Sequence, residues 1–448
     1  MKKVIRENDY FLLFSCFILG IIAEIAFFQG DVGISYLVFV SAFYFVFFLR
    51  FRLSAFHHRR VGLLFMFVIW LLSATFLFYG RNVFYTWNLI IIPVVIFIHI
   101  IIITRPNTFI WQTVYFLKTM GRILYESLFY IKALVKKIWT EVQQHKVLAL
   151  IGLLLFAGII VWLSVDFMVH VFRALGIGAF VFSIFQVLRD QQVDQKQYIY
   201  VKQQRRSVPV KPALLISLFI AIIMSGYYFV STQIDSIHET FKLLIVLTVV
   251  MFTYFYFILD KVKAEKQGQM LFFKIIHSVF IILNVYFIAV HLRHLRYIDE
   301  WSGLTSIQFL QHAILYFFMI IYLYTLIRIW IKRISLTHFY FIFSLLFYMT
   351  LNLVNVAQIV ADNQYVRYTQ ALEEDIAQFE ALNYPGYEKL IRIYEKEPSK
   401  QLRKVLRDKA KKEKSIKQNW QSYNFSRESW LLLYEEKVNQ TPIEGEGK

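Results

Sequence analysis

The chain has 448 residues, 58% of them hydrophobic and 19% aromatic, with only 17% charged and a formal net charge of +18. A soluble domain of this size is far less apolar, so the composition excludes an ordinary globular core and assigns the apolar surface to a lipid bilayer. The basic excess does not mark a nucleic-acid partner: 32 basic and 15 acidic side chains lie before residue 358, against 16 and 15 after it, so the positive charge belongs to membrane loops beside anionic lipid.

The chain begins with Lys2, Lys3 and Arg6 ahead of an apolar run from Tyr10 to Phe28. That run is longer than the apolar region of a cleaved signal, and Glu24-Ile25-Ala26-Phe27 offers no small-x-small cleavage site, so it is expected to stay as a first helix. It contains the one cysteine, Cys16, which rules out a disulfide within this sequence and any Cys-rich metal motif. Ten more apolar stretches follow, at 34–49, 61–79, 84–103, 147–165, 169–188, 212–231, 241–259, 271–291, 309–330 and 337–358. A bilayer core about 30 Å thick takes roughly 20 helical residues. The expected fold is therefore all-α: a polytopic transmembrane helical bundle of about eleven spans with a helical soluble C-terminal tail.

Basic residues collect in every second gap: Arg50, Arg52, Arg59 and Arg60; seven Lys and Arg between Arg105 and Lys146; Arg189 to Lys211; Lys261, Lys263 and Lys266; and Arg328, Lys332 and Arg333. By the positive-inside rule these gaps are cytoplasmic, which puts the N-terminus inside and the tail outside. The span at 169–188, with Asp166, His170 and Arg173 at its start, decides the orientation of every later loop. Four segments result: a four-span part (1–103), a cytoplasmic basic amphipathic helix (104–146), a seven-span part (147–358) and an extracytoplasmic tail (359–448).

Within 104–146, Phe116, Met120, Leu124, Leu128, Ile131 and Val135 recur at helical spacing, with Lys118, Arg122, Lys132 and Lys136 on the other side. The pattern fits a helix on the inner membrane surface and equally a connector packed on neighbouring spans, because an apolar stripe looks the same against lipid or protein. In the tail, Asp362 is a candidate cap for a helix to about Ala381. Tyr384-Pro385-Gly386 breaks that helix, and Ser399 caps another whose apolar face is Leu402, Val405, Leu406 and Ala410.

No phosphate-binding loop, dinucleotide fingerprint, zincin motif or nucleophile elbow appears, and no cofactor, metal or catalytic residue is expected. Ionisable groups at membrane depth are costly and so mark candidates: Glu24, which also suits an interfacial position, and Asp166 with Arg173, two helical turns apart and placed to form an ion pair. His291 and His294 are one turn apart, the spacing of a two-ligand metal site without a third partner. His99, His277 and His312 read as neutral packing residues, and Asn284, Asn352 and Asn355 as hydrogen-bonding groups inside the bundle.

Near the end of the last span, Thr350-Leu351-Asn352-Leu353-Val354-Asn355 runs on to Ala361, Asn363 and Arg367-Tyr368. Trp420-Gln421-Ser422-Tyr423-Asn424-Phe425-Ser426-Arg427 follows. Together these resemble the signature of an uncharacterised bacterial membrane family, domain of unknown function 4173, a relative of 4153. Val356-Ala357 stand where that family usually has Pro-Asp. The resemblance covers about the last 100 residues closely and implies a bacterial plasma-membrane protein without an assigned activity. Asn355, Asn363 and Arg367 suit a helix leaving the bilayer, where they satisfy backbone carbonyls or lipid phosphates. The leading expectation is a non-enzymatic envelope sensor or scaffold, with anionic lipid at the inner basic loops and an envelope protein at the tail. A transporter or channel is second, and a membrane enzyme acting on lipid or a cell-wall precursor third.

Overall fold

A computed structural model describes residues 9–51, 59–79, 84–104, 114–144, 165–194, 208–231, 237–258, 262–263, 267–331, 336–368, 373–415 and 420–439. The chain divides by packing into two units, Met1–Tyr200 with Leu390–Lys448, and Val201–Lys389. This grouping differs from the four sequence segments, because the end of the tail packs with the first helices.

In the first unit the helices are α1 (Tyr10–Phe28), α2 (Ile34–Arg50), α3 (Arg59–Tyr79), α4 (Tyr85–Thr104), α5 (Val114–Gln144) and α6 (Val165–Asp194). In the second are α7 (Val210–Ser231), α8 (Ile237–Ile258), α9 (Gln267–Ser302), α10 (Ser306–Trp330), α11 (Leu336–Leu353), α12 (Val356–Arg367) and α13 (Glu373–Ala381). Helix α14 (Tyr384–Lys396) joins the two units; α15 (Lys400–Ser415), a 3₁₀ turn at Trp420–Ser422 and α16 (Phe425–Tyr434) complete the first. Among the described residues the only strand pairing is two residues long, β1 (Val208–Pro209) parallel to β2 (Val262–Lys263).

Six of these helices are long and apolar enough to cross a membrane: Tyr10–Phe28, Arg60–Tyr79, Tyr85–Thr104, Met168–Asp190, Gln267–Trp301 and Ser306–Trp330. In lipid every backbone group must bond within its own segment, which is why apolar runs rich in Ile, Phe and Val are helical here. The chain is thus an all-α, membrane-embedded protein. The span expected at 147–165 lies outside the described residues up to 164. The one at 169–188 is the middle of α6, a continuous helix of 30 residues.

Three expected boundaries change. Asp362 does not cap a helix to Ala381: it lies inside α12, which ends at Arg367, and α13 starts at Glu373. The last span, read as 337–358, stops at Leu353, and α12 leaves at a 52° bend. Asn355 causes this by capping the new helix, its side-chain oxygen accepting from Gln358 N at 3.2 Å. The charges Arg293, Arg296, Asp299 and Glu300, which fall in the gap between the apolar stretches 271–291 and 309–330, continue α9 to a length of 36 residues, or about 54 Å, well beyond a bilayer core. That helix ends at Gly303, whose φ of +80° suits a residue without Cβ, and a Thr305/Gln308 capping box opens α10.

Inside the first unit, α1 runs antiparallel to α6 with an inverted face pattern. Its lipid side carries Phe11, Phe14, Ile18 and Ile21, all exposed, while its buried side holds Cys16, Gly20, Ala23 and Glu24. Small residues let the two backbones approach: a Cβ on Gly178 would meet Cys16 O at 2.7 Å, and one on Gly20 would collide with the Ala174 carbonyl. The second unit is built by α8, α9 and α10 through Leu244, Met251 and Phe255, Ile281, Ile288 and Leu295, and Leu315 and Tyr322.

This contact is testable with one pair of substitutions. Gly178→Ala is expected to cost about 1–3 kcal/mol by forcing the helices apart. Gly176→Ala, where nothing lies within 4 Å, is expected to be neutral or to stabilise by up to about 1 kcal/mol through helix propensity. Thermal unfolding of both variants in one detergent checks the difference.

Candidate functional site

Polar groups gather at the two ends of the α1–α6 pair. Near the C-terminal end of α1, Glu24 is 3% exposed; its Oε1 is hydrogen-bonded by His170 Nδ1 and lies 3.7 Å from Arg173 Nη1. Arg173 also covers the Phe28 ring at 4.8 Å. Glu24 therefore does not extend to water, and Arg173 finds its acid on another helix. Asp166 is in the first turn of α6, and its side chain lies outside the described residues. Glu24 Oε2 is buried without a hydrogen-bond partner among the described residues.

At the other end, about 22 Å along α1, Asp9 is 1% exposed. Arg189 Nη1 reaches both its oxygens, at 2.7 and 2.9 Å, and Arg50 Nη2 donates at 3.1 Å. Arg189 also meets Asp190 at 3.2 Å, and Tyr130 of α5 donates to Asp190. One carboxylate thus ties the start of α1 to the ends of α2 and α6, and the neighbouring Asp190 ties in α5. Sequence reading missed Asp9 as a site residue. The available signal was an acid directly before the first span, facing basic residues that end two later ones.

The second unit holds a buried polar trio joining α7, α8 and α9. His277 Nδ1 donates to Phe273 O at 2.6 Å, leaving Nε2 to accept from the Tyr254 hydroxyl at 2.9 Å; Ser217 Oγ lies 2.6 Å from that hydroxyl and 3.1 Å from Nε2. A serine beside an imidazole resembles a nucleophile and its base, but Ser217, Tyr254 and His277 are 1%, 6% and 0% exposed. The trio is sealed from any substrate and works as an interhelical tie. His99 is paired similarly in the first unit, 2.6 Å from the Tyr44 hydroxyl.

His291 and His294 do not converge on a common ligand. His291 stacks on Phe241 at 5.9 Å and is partly buried, whereas His294 is exposed. His312 Nε2 is 3.5 Å from Asp299. Among the described residues no group of three or more His, Cys, Asp or Glu is placed to hold a metal ion. Asn284 and Asn352 each donate to the carbonyl four residues back on their own helix, at 2.8 and 2.9 Å.

The two C-terminal motifs are junctions. Asn363 Oδ1 accepts from Leu304 N at 3.1 Å and Arg367 Nη1 donates to Glu300 O at 2.9 Å. With the Asn355 cap, α12 thereby clamps the turn between α9 and α10. In the second motif, Asn424 Oδ1 caps α16 by accepting from Arg427 N at 3.1 Å, while its Nδ2 donates to Phe76 O at 3.0 Å. Ser426 donates to Phe78 O at 2.6 Å, and Ile34 N donates to Tyr423 O at 3.3 Å. Arg427, 5% exposed, pairs with Glu413 of α15 at 3.0 Å, and Ser399 caps α15 through Leu402 N at 3.1 Å. The last carbonyls of α3 are satisfied by the tail, which packs on the ends of α2 and α3.

Burial separates the two charged ends in energy. Arg189→Ala leaves the 1% exposed Asp9 carboxylate with Arg50 alone and is expected to cost about 1.5–3 kcal/mol. Arg173→Ala removes a side chain 43% exposed and is expected to cost about 1 kcal/mol or less. Denaturation of the two variants side by side checks the ranking. Comparison of the chain with protein-family models, with curated proteins and with solved structures gave no match, so the roles of these residues rest on their geometry.

Proposed function

We propose that this chain is a multi-pass protein of the bacterial plasma membrane that acts as a sensor or scaffold of the cell envelope, joining a folded tail outside to a helical bundle inside the bilayer. The observation that carries this reading is the docking of residues 420–427 on the ends of α2 and α3 through Asn424, Ser426 and Tyr423. A tail held by its own caps and by the bundle is placed to pass a contact made outside into the membrane helices.

The same contacts support the orientation without a count of spans. The tail joins the start of α2 and the end of α3, opposite the end where Arg50 and Arg189 meet Asp9. If the arginine end is cytoplasmic, as the positive-inside rule requires, the tail is outside. Eleven crossings remain our reading of the full chain, supported by the alternating charges and by the further apolar helices Ile34–Arg50 and Val210–Ile220. The inner basic loops face anionic lipid. The C-terminal motifs support a place beside domain of unknown function 4173, and hence a bacterial source. A transporter is the second reading, favoured by buried Glu24 with its unpartnered Oε2; proton-linked uptake lost in Glu24→Gln would favour it.

Cross-linking in native membranes tests the leading reading. The intact chain is compared with one lacking residues 359–448 and with Asn424→Ala/Ser426→Ala, which keeps the tail but removes its anchors. An envelope protein captured by the intact chain and lost in both variants is the expected result. Recovery of the same partners from all three sinks the scaffold reading.

A further inference from the structure

Helix α5 has three faces, and among the described residues one of them is buried. Ile123, Ser127, Tyr130 and Leu134, all 4% exposed or less, pack toward α6. The apolar stripe visible in the sequence is a different one. Of its residues Leu124, Leu128 and Val135 are 41–61% exposed and Met120 and Ile131 half-buried, and Ile138 and Trp139 extend the exposed side at 52% and 62%; it is displaced by about a third of a turn from the packed face. Lys132 and Lys136, both exposed, lie on a third strip beyond the apolar one, with the exposed Tyr125 and Phe129 one to two turns before them on the same side. Among the described residues, packing against the bundle therefore does not cover Leu124, Leu128 and Val135.

What covers it follows from where α5 is fastened. Tyr130 donates to Asp190 and Lys137 lies over the Tyr10 ring at 4.5 Å. Tyr10 begins the first span and Asp190 ends another, so both fasten α5 at the level where α1 and α6 leave the bilayer. An apolar face with a tryptophan, bordered by lysines, at that level matches the boundary between acyl chains and headgroups.

We propose that α5 is an interfacial helix that seats Leu124, Leu128 and Val135 in the acyl layer and holds anionic phospholipid headgroups of the cytoplasmic leaflet with Lys132 and Lys136. The assignment to that leaflet rests on the orientation given under Proposed function. It deepens the sensor reading, since Tyr130 connects this helix to the Asp190–Arg189–Asp9 ion pairs at the foot of the bundle.

The test uses the full chain with Val135→Cys, or separately Leu128→Cys, carrying a fluorophore; native Cys16 is buried. Each is placed in bilayers of phosphatidylcholine with or without phosphatidylglycerol and read with aqueous iodide and with a quencher on the acyl chain. Expected are strong acyl-chain quenching and weak iodide quenching with phosphatidylglycerol. Lys132→Gln/Lys136→Gln is expected to lower the ratio of seated to unseated helix roughly 30-fold in that lipid, at about fivefold per lysine. Iodide access in both lipids overturns the proposal, as does protection from both quenchers, which means that protein covers the face. Equal acyl quenching in both lipids overturns the headgroup preference. A membrane-impermeant maleimide applied to intact cells reports separately on which side residue 135 lies, so a wrong orientation is distinguished from a failure to bind lipid.

Discussion

The contact between α1 and α6 is the constraint on which the rest of the first unit depends. Two helices that approach at Gly20 and Gly178 leave no room for side chains between them, so their attraction comes from close packing and from the polar groups at either end. In lipid there is little hydrophobic gain when helices associate, because acyl chains are as apolar as the side chains they replace. Asp9 with Arg189 at one end and Glu24 with His170 at the other supply direction and register. A slip by one turn would separate both pairs and bring Cβ atoms against the opposing backbone. The two ends differ in strength: the Asp9 carboxylate is almost fully buried and takes two arginines, whereas Arg173 remains largely open.

From that pair the other elements of the unit take their places. Arg50 brings the end of α2 to Asp9, and Tyr130 brings α5 to Asp190. At the opposite end, the carbonyls of Phe76 and Phe78 receive Asn424 and Ser426. A helix end buried without partners is costly, and here the tail supplies the partners. In the second unit Asn355, Asn363 and Arg367 do comparable work on the α9–α10 turn. Both C-terminal motifs thus satisfy backbone groups at helix ends, which accounts for their amide and guanidinium side chains.

Much of this was legible in the sequence because it depends on local periodicity. The apolar runs marked α1 to α4 within a residue or two, and Ser399 announced the start of α15. At Tyr384-Pro385-Gly386 the chain does break, but there a new helix starts, Asn383 taking a positive φ of 57° before it. Less visible were features set by distant partners. Asp9 and Arg189 are 180 residues apart, and nothing near either predicts the other. The last turns of α9 look like a loop because a helix longer than a bilayer core regains charges at its end. The α5 stripe includes the exposed Leu124, Leu128 and Val135, yet it is a neighbouring face about a third of a turn away, with Ser127 and Tyr130, that packs on α6; periodicity identifies an apolar face but not what covers it.

The docked tail is the claim on which the functional account stands, and a cysteine cross-link tests it most directly. Phe78 and Phe425 stack with ring centroids 5.8 Å apart, one at the end of α3 and the other at the start of α16. In native membranes, Phe78→Cys/Phe425→Cys treated with a reducible bis-thiol cross-linker that does not cross the bilayer is predicted to form an intramolecular cross-link, seen as a mobility shift that a reductant reverses. Failure to form it, or formation only after the membrane is opened, contradicts a tail docked on the outer ends of these helices.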